Sequence, residues 1–409
     1  MNSLRPNNIY SRIFYYILIS LPVFLISVKV VANLLLLVIV IDGLVTCFKE
    51  KINPFTAKEF RTISYLFTGY FAVMFLSIIL SSGFGEELKH IFRKIHFFFA
   101  PLIAVSIYYH NIDISKFVRS FKYGLISAFI ISMALLIFFG SINGMFNSNV
   151  FGDLLVIYIF VSISQIFREG IREVAFSIAS ASFGVALLFL IPSRGSWLLF
   201  FLLAVVFIIF THKNIIDSFK NSKKYYLFAL PILSLLILFT YPNLKSTYDH
   251  TLDNLSSWED NKEKYTSSGV RLEMWSSALK AFKDAPWHGY GYRMVNREVA
   301  KYADFHPDLI KKFTHLHNEY ITNLLSAGYA GLISLLIFIL YPLKIFFYGR
   351  LESGSYVHSI IGIFVSLGFM GMGLTHIAFG EENLNAIYVF LICYLLPNIM
   401  KIELNTNQK

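Results

Sequence analysis

The chain has 409 residues, of which 56% are hydrophobic and only 15% charged, against roughly 25% charged in a water-soluble domain. That balance excludes an ordinary soluble enzyme and points to a chain that lives in a bilayer. The net charge of +10 is then first a topology signal, because Lys and Arg collect in cytoplasmic loops; no basic soluble domain is present to support nucleic-acid binding.

A span needs about 20 mainly apolar residues. In chain order such runs fall near 13–28, 30–48, 63–81, 95–110, 123–140, 151–167, 174–192, 196–211, 225–241, 321–347, 356–374 and 385–400. They predict an all-α integral membrane protein of about twelve transmembrane helices. Arg5 and Arg12 precede the first run and no small-x-small cleavage site follows it, so that helix is read as retained. Pro192-Ser193-Arg194-Gly195 separates two runs and predicts a tight reversal. Cys47 and Cys393 lie in or beside apolar runs, which leaves neither a disulfide framework nor a cysteine metal site.

With the amino terminus placed inside, the inner loops carry Lys49, Lys51, Lys58, Arg61, Lys116, Arg119, Lys122, Arg168, Arg172, Lys344 and Arg350. The outer segment 141–150 has no charge, and that near 375–384 has Glu381 and Glu382. This alternation predicts both termini cytoplasmic. Two outer segments stand apart: 82–94, with Lys89 and Arg93, and the polar stretch 242–318, with Trp258, Trp275 and Trp287. The expected organisation is a membrane domain over 1–241 with nine spans, a large outer loop over 242–318, and a second membrane part over 319–409 with three. Within the loop, Leu272, Trp275, Leu279 and Phe282 recur at helical spacing from Ser268 onward. Ser267 or Ser268 can cap that helix and Pro286 stops it, and it can lie in the membrane interface.

Three outward places carry chemistry-bearing side chains: Arg194 in the tight reversal, Arg271 in the loop helix, and His315-Leu316-His317-Asn318 at the loop's end. Taken singly, each has a plain reading. An Arg at a span end snorkels, an Arg on an amphipathic helix is solvated, and a His beside a span is satisfied at the interface. A His-x-His pair also suggests a metal, but no third or fourth ligand accompanies it.

Read as a set, these residues resemble bacterial O-antigen ligases. His317-Asn318, nine residues, Gly328, two residues and Gly331 is similar to the family's His-[Asn/Ser/Gln]-x9-Gly-x-x-Gly signature. Ser193-Arg194-Gly195-Ser196-Trp197 resembles its arginine-bearing turn. Gly269-Val270-Arg271-Leu272-x-Met274-Trp275 followed by Gly289-Tyr290-Gly291 resembles its large periplasmic loop. The resemblance covers the whole plan and implies a glycosyltransferase C-like membrane architecture in the bacterial inner membrane. It implies transfer of a polysaccharide from undecaprenyl diphosphate to the lipid A–core on the periplasmic face, inverting; no paired-carboxylate motif stands on the outer face to hold Mg²⁺, so the reaction is expected to need neither metal nor cofactor. Arg194 and Arg271 then become the phosphate clamp, since a guanidinium grips phosphate bidentately, and His317 the general base. Arg93, Lys89, Arg293, Tyr292, His315 and Asn318 are expected to bind diphosphate or sugar, with Asn318 orienting the His317 ring. Gly328 and Gly331 are expected to let helices pack closely.

One departure stands out. Some members carry an Arg in the outer loop after the fifth span; here 141–149 has none, and Arg93 or Arg293 is expected to supply the contact. The acidic pair Glu259-Asp260 has no supporting ligands. An O-antigen polymerase, sharing the donor, is the nearest rival. A glycolipid transporter is disfavoured because the spans are almost free of charge; Lys29 is read as marking a turn.

Overall fold

The computed structural model describes residues 9–81, 91–143, 146–221, 245–246, 249, 267–305, 307–351 and 354–406. Among these residues the fold is all helical. In chain order the helices are α1 (Ile9–Ser27), α2 (Lys29–Lys49), α3 (Lys58–Leu80), α4 (Ile95–His110), α5 (Ile114–Phe139), α6 (Ser148–Ile163), α7 (Ile171–Leu190) and α8 (Arg194–Asn221), followed by α9 (Ser267–Phe282), α10 (Val295–Ala300), α11 (Pro307–Lys312), α12 (Glu319–Gly349), α13 (Tyr356–Thr375) and α14 (Glu382–Thr406). Nine of them are long and apolar enough to cross a membrane; α4 and α6 are shorter apolar helices. These eleven occupy eleven of the twelve expected runs. The run 225–241 lies outside the described residues.

The packing is that of a multi-pass membrane protein. A soluble helix hides its apolar stripe; here the exposed stripes are themselves apolar. On α2, Val30, Leu34, Leu37, Ile41, Val45 and Phe48 are exposed at spacings of three or four, which is one helix face. Polar positions turn inward instead. The hydroxyl of buried Tyr388 donates to Phe338 O at 3.0 Å, and that of Tyr394 to Ile112 O at 3.0 Å, so neither is left unsatisfied in an apolar interior. α14 runs through the middle of the bundle: from Ala386 to Leu396 every side chain is buried. Helices approach closely where a side chain is absent, as at Gly43, where an added Cβ would sit 2.0 Å from Leu102 O of α4.

Reversals follow local chemistry. Asp113 caps α5 by accepting from Ser115 N and Lys116 N. Asn111 ends α4 in the left-handed region, φ 43°, which Asn tolerates better than most residues. Lys29, expected to mark a turn, opens α2, and its ammonium pairs with Glu382 at the head of α14, 2.7 Å away.

The two ends of the bundle differ. One holds the turns α2–α3, α4–α5, α6–α7 and α12–α13, and there lie Lys49, Lys51, Lys58, Arg61, Lys116, Arg119, Arg168, Arg172 and Arg350. The other holds the turns α1–α2, α7–α8 and α13–α14, the head of α12, and the described part of the large loop. That loop has a small core of its own, including Val270, Met274, Ala281, Val295, Leu316 and Leu325.

Candidate functional site

The site forms at the loop-bearing end, and backbone placement builds it. α9 carries Arg271 and, one turn on, Trp275. The Trp275 indole N–H donates to Leu316 O at 2.8 Å, so the arginine-bearing helix grips the peptide between His315 and His317. Asn296 Nδ2 donates to His315 O at 3.3 Å and Ile310 O at 3.2 Å. His317 itself has φ 50°, a left-handed conformation that costs a non-glycine residue about 1–3 kcal/mol and persists only where surroundings impose it. Immediately after it, Asn318 caps α12: its Oδ1 accepts Ile321 N at 3.0 Å, and its Nδ2 donates to Leu374 O at 3.4 Å. Asn318 thus binds backbone on both sides of its amide.

The arginine turn is fixed from below. Ser193 Oγ donates to Asn149 Oδ1 at 2.9 Å, and Ser196 Oγ to Asp153 Oδ1 at 2.7 Å. Trp197 Nε1 donates to Leu188 O at 2.8 Å, tying α8 to α7. Arg194, the first residue of α8, stays exposed.

Gly328 has its close approach to the loop rather than to another span. α12 breaks at Ala327–Gly328, Gly328 having φ 63°, and an added Cβ would sit 2.0 Å from Trp287 O. Gly289, φ 77°, meets Ser326 and Ala327 from the other side, and Tyr290 N and Gly291 N donate to Leu325 O and Ser326 O. The glycines of the loop and of the histidine motif are therefore two halves of one backbone contact. At Gly331 a Cβ would meet Asn323 O and the Ala327 Cβ of its own broken helix.

Three imidazoles meet here, one of which the sequence reading missed. The His315 and His317 ring centres are 4.4 Å apart; His376, in the α13–α14 turn, lies 5.8 Å from His315 and 6.5 Å from His317. Among the described residues each ring has a buried nitrogen without a hydrogen-bond partner: His315 Nε2, His317 Nδ1 and His376 Nδ1. Burial first, then the charges of Arg271 and Arg93, push His315 down to about 4. Burial, then His315, Arg271 and His376, push His317 to about 3. Burial, then His315 and Arg271, push His376 to about 3, the Ile377 backbone working the other way. Burial and the neighbouring Arg194 lower Arg271 as well. The cluster is a set of neutral rings beside converging guanidinium groups, an arrangement that favours an anion.

Arg93 is exposed near this cluster, acting on His315 and on Glu381. Tyr292 is buried, its hydroxyl against Gly380 in the α13–α14 turn, and Arg293 is half-buried beside it. Lys89, Trp258, Glu259 and Asp260 lie outside the described residues. Among the described residues no three of His, Cys, Asp and Glu are placed to hold a metal ion. The geometry thus unites Arg194, Arg271, His315, His317 and Arg93, and adds His376.

Residues 179–336 match the family model described as O-antigen ligase, a segment that includes Arg194, Arg271, His315, His317, Gly328 and Gly331. The chain is also 24% identical over 315 residues to an uncharacterized protein of Haemophilus influenzae, covering 73% of this chain and 75% of that protein. The motifs, the helical membrane architecture and the matched segment agree in their likeness to the O-antigen ligase family.

Proposed function

We propose that the protein is an O-antigen ligase that moves a polysaccharide from undecaprenyl diphosphate to a sugar hydroxyl of the lipid A–core. The observation that carries this reading is the convergence of Arg271, Arg194 and three neutral histidines at the loop-bearing end of a membrane bundle. That end is taken to face the periplasm of the inner membrane, with both termini cytoplasmic, because the opposite turns hold the basic residues. In the proposed organisation, membrane parts over 1–241 and 319–409 flank the periplasmic loop 242–318.

The leaving group is a lipid diphosphate, whose negative charge grows as the glycosidic bond breaks. Preorganised positive charge lowers that barrier. Arg194 and Arg271 are assigned to the diphosphate, with Arg93 and Arg293 beside them and Lys89 as a further contact. Arginine does here what a metal does elsewhere, and the reaction is proposed as metal-independent. The acceptor hydroxyl attacks the anomeric carbon from the opposite face, inverting it, and His317 takes the hydroxyl proton. Burial and the neighbouring His315, Arg271 and His376 hold its basicity low. A bound diphosphate offsets the arginine charge, so the ring becomes a stronger base when the donor is in place.

A polymerase shares this donor but extends a glycan. The lipopolysaccharide ladder of a deletion strain decides between them. Loss of the ligase leaves bare core with lipid-linked polymer accumulated. Core bearing a single repeat would instead mark a polymerase.

A further inference from the structure

His376 lies beyond the matched segment 179–336, in a turn that would pass for a plain span connection. Its surroundings are not those of a connector. Leu374 O accepts from Asn318, the residue after His317. Thr375 Oγ1 abuts Gly195, the residue after Arg194, where an added Cβ would sit 2.8 Å away. The turn is therefore seated between the arginine turn and the histidine motif. Its far side is pinned too: Phe379 N donates to Glu319 Oε2 at 2.9 Å, while Lys94 Nζ and Asn385 Nδ2 both donate to Phe379 O. A ring held this way is preorganised.

His376 is 4% exposed, and among the described residues its Nδ1 has no partner. Such a buried polar atom is costly unless something satisfies it. The nearby carboxylate of Glu319 is already committed to Phe379 N and Asn323 Nδ2, and no ion pair of His376 with a carboxylate exists among the described residues. Among the described residues, what faces the ring is cationic or neutral: Arg271, His315 and His317. Such surroundings suit an acceptor-rich anion as the partner of the ring.

We propose that His376 is a third histidine of the donor site, donating a ring N–H to an oxygen of the lipid diphosphate held by Arg194 and Arg271. This rests on the donor reading above. It makes the α13–α14 turn part of the donor site, so that groups from both membrane parts meet the diphosphate.

The probe is farnesyl diphosphate, titrated into the purified full-length protein, with farnesyl monophosphate alongside and thermal stability recorded for each variant. His376→Ala should weaken diphosphate binding by about ten- to a hundredfold, the range for a hydrogen bond to a charged group. His376→Asn, which puts an amide nitrogen close to the Nδ1 position, should restore most of it at unchanged stability. Wild-type affinity in His376→Ala, with binding lost in Arg194→Lys, overturns the third-histidine assignment and leaves the donor reading standing. Loss of binding and of stability together in both His376 variants makes the ring a packing element and overturns it as well. No diphosphate binding by the wild type, or wild-type binding by Arg194→Lys, defeats the donor reading and this inference with it.

Discussion

Two histidine-bearing clusters sit at opposite ends of the bundle and are wired in opposite ways. At the basic end, Asp42 is buried and fully engaged: Tyr10 and Ser106 donate to its two oxygens, and His110 Nε2 lies 3.0 Å from Oδ2. Phe14 stacks on the His110 ring, 5.1 Å between centres. At the loop-bearing end, among the described residues, His315, His317 and His376 have no carboxylate among them, and each keeps a buried nitrogen without a partner. One cluster has its anion built in and ties α1, α2 and α4 together. The other is made, among the described residues, of cations and neutral rings. A completed network stabilises; one that needs a ligand to complete it binds.

The largest expected effect falls on chemistry. His317→Ala removes the proposed base, and transfer by the purified enzyme should drop by about 10²- to 10⁴-fold. A rate near wild type would remove the base assignment. Asp42→Ala should do the converse. Breaking a buried, hydrogen-bonded charge costs about 3–5 kcal/mol, so thermal stability should fall while transfer per folded molecule stays unchanged. Lost transfer at normal stability would mean the two ends are coupled rather than separate. Gly328→Ala comes next. Its φ of 63° with ψ −158° is a backbone open essentially to glycine alone and costs a side chain about 1–3 kcal/mol, and the Cβ would press on Trp287 O, so the level of folded protein should fall.

The pH response is smaller and has a defined sign. The three histidines are held at about 3 to 4 in the fold, against about 6.5 when unfolded. Between those values the unfolded chain binds more protons, so these rings lose stability for the fold as pH drops below about 6.5. Burial raises the Glu381 carboxyl, which pulls the other way, so the readout is a difference. His315→Gln should melt with less acid sensitivity than the wild type between pH 7 and 5, and added lipid diphosphate should shrink the wild-type sensitivity. Equal sensitivity in both proteins would mean the cluster is not held neutral. The smallest expected effect is none: transfer should survive excess EDTA, and loss restored by Mg²⁺ or Mn²⁺ would end the metal-free proposal.

The contrast was only half legible in the sequence. Apolar runs locate spans because each span must carry its own apolar surface, and eleven of them lie where helices form. The loop helix was expected over 268–282 and spans Ser267–Phe282, because the Leu272, Trp275, Leu279, Phe282 spacing is local. Arg194, Arg271 and His317 stood out as polar residues at the edges of apolar runs. His376 did not, since its partners are far away in the chain and a single His after a span has no local pattern. The break in hydropathy at Thr375-His376 was the available signal. Asn318, directly before a helix, had the mark of a cap, and its capping bond to Ile321 N follows that rule. Gly328 read as helix packing because a glycine in an apolar run carries no sign of its φ. Only the partner at Trp287 makes it a hinge of the loop.

The central claim is that the loop-bearing end is built to hold a diphosphate, with the arginines gripping it and His317 acting on the acceptor. The most direct test is donor binding, measured separately from transfer, in purified Arg194→Lys and His317→Ala. Lys keeps the charge but loses the planar fork, so Arg194→Lys should lose donor affinity, whereas His317→Ala should bind the lipid-linked donor nearly as the wild type does and fail to transfer it. Equal loss of donor binding in both variants would make His317 a diphosphate ligand and contradict the division of labour proposed for this site.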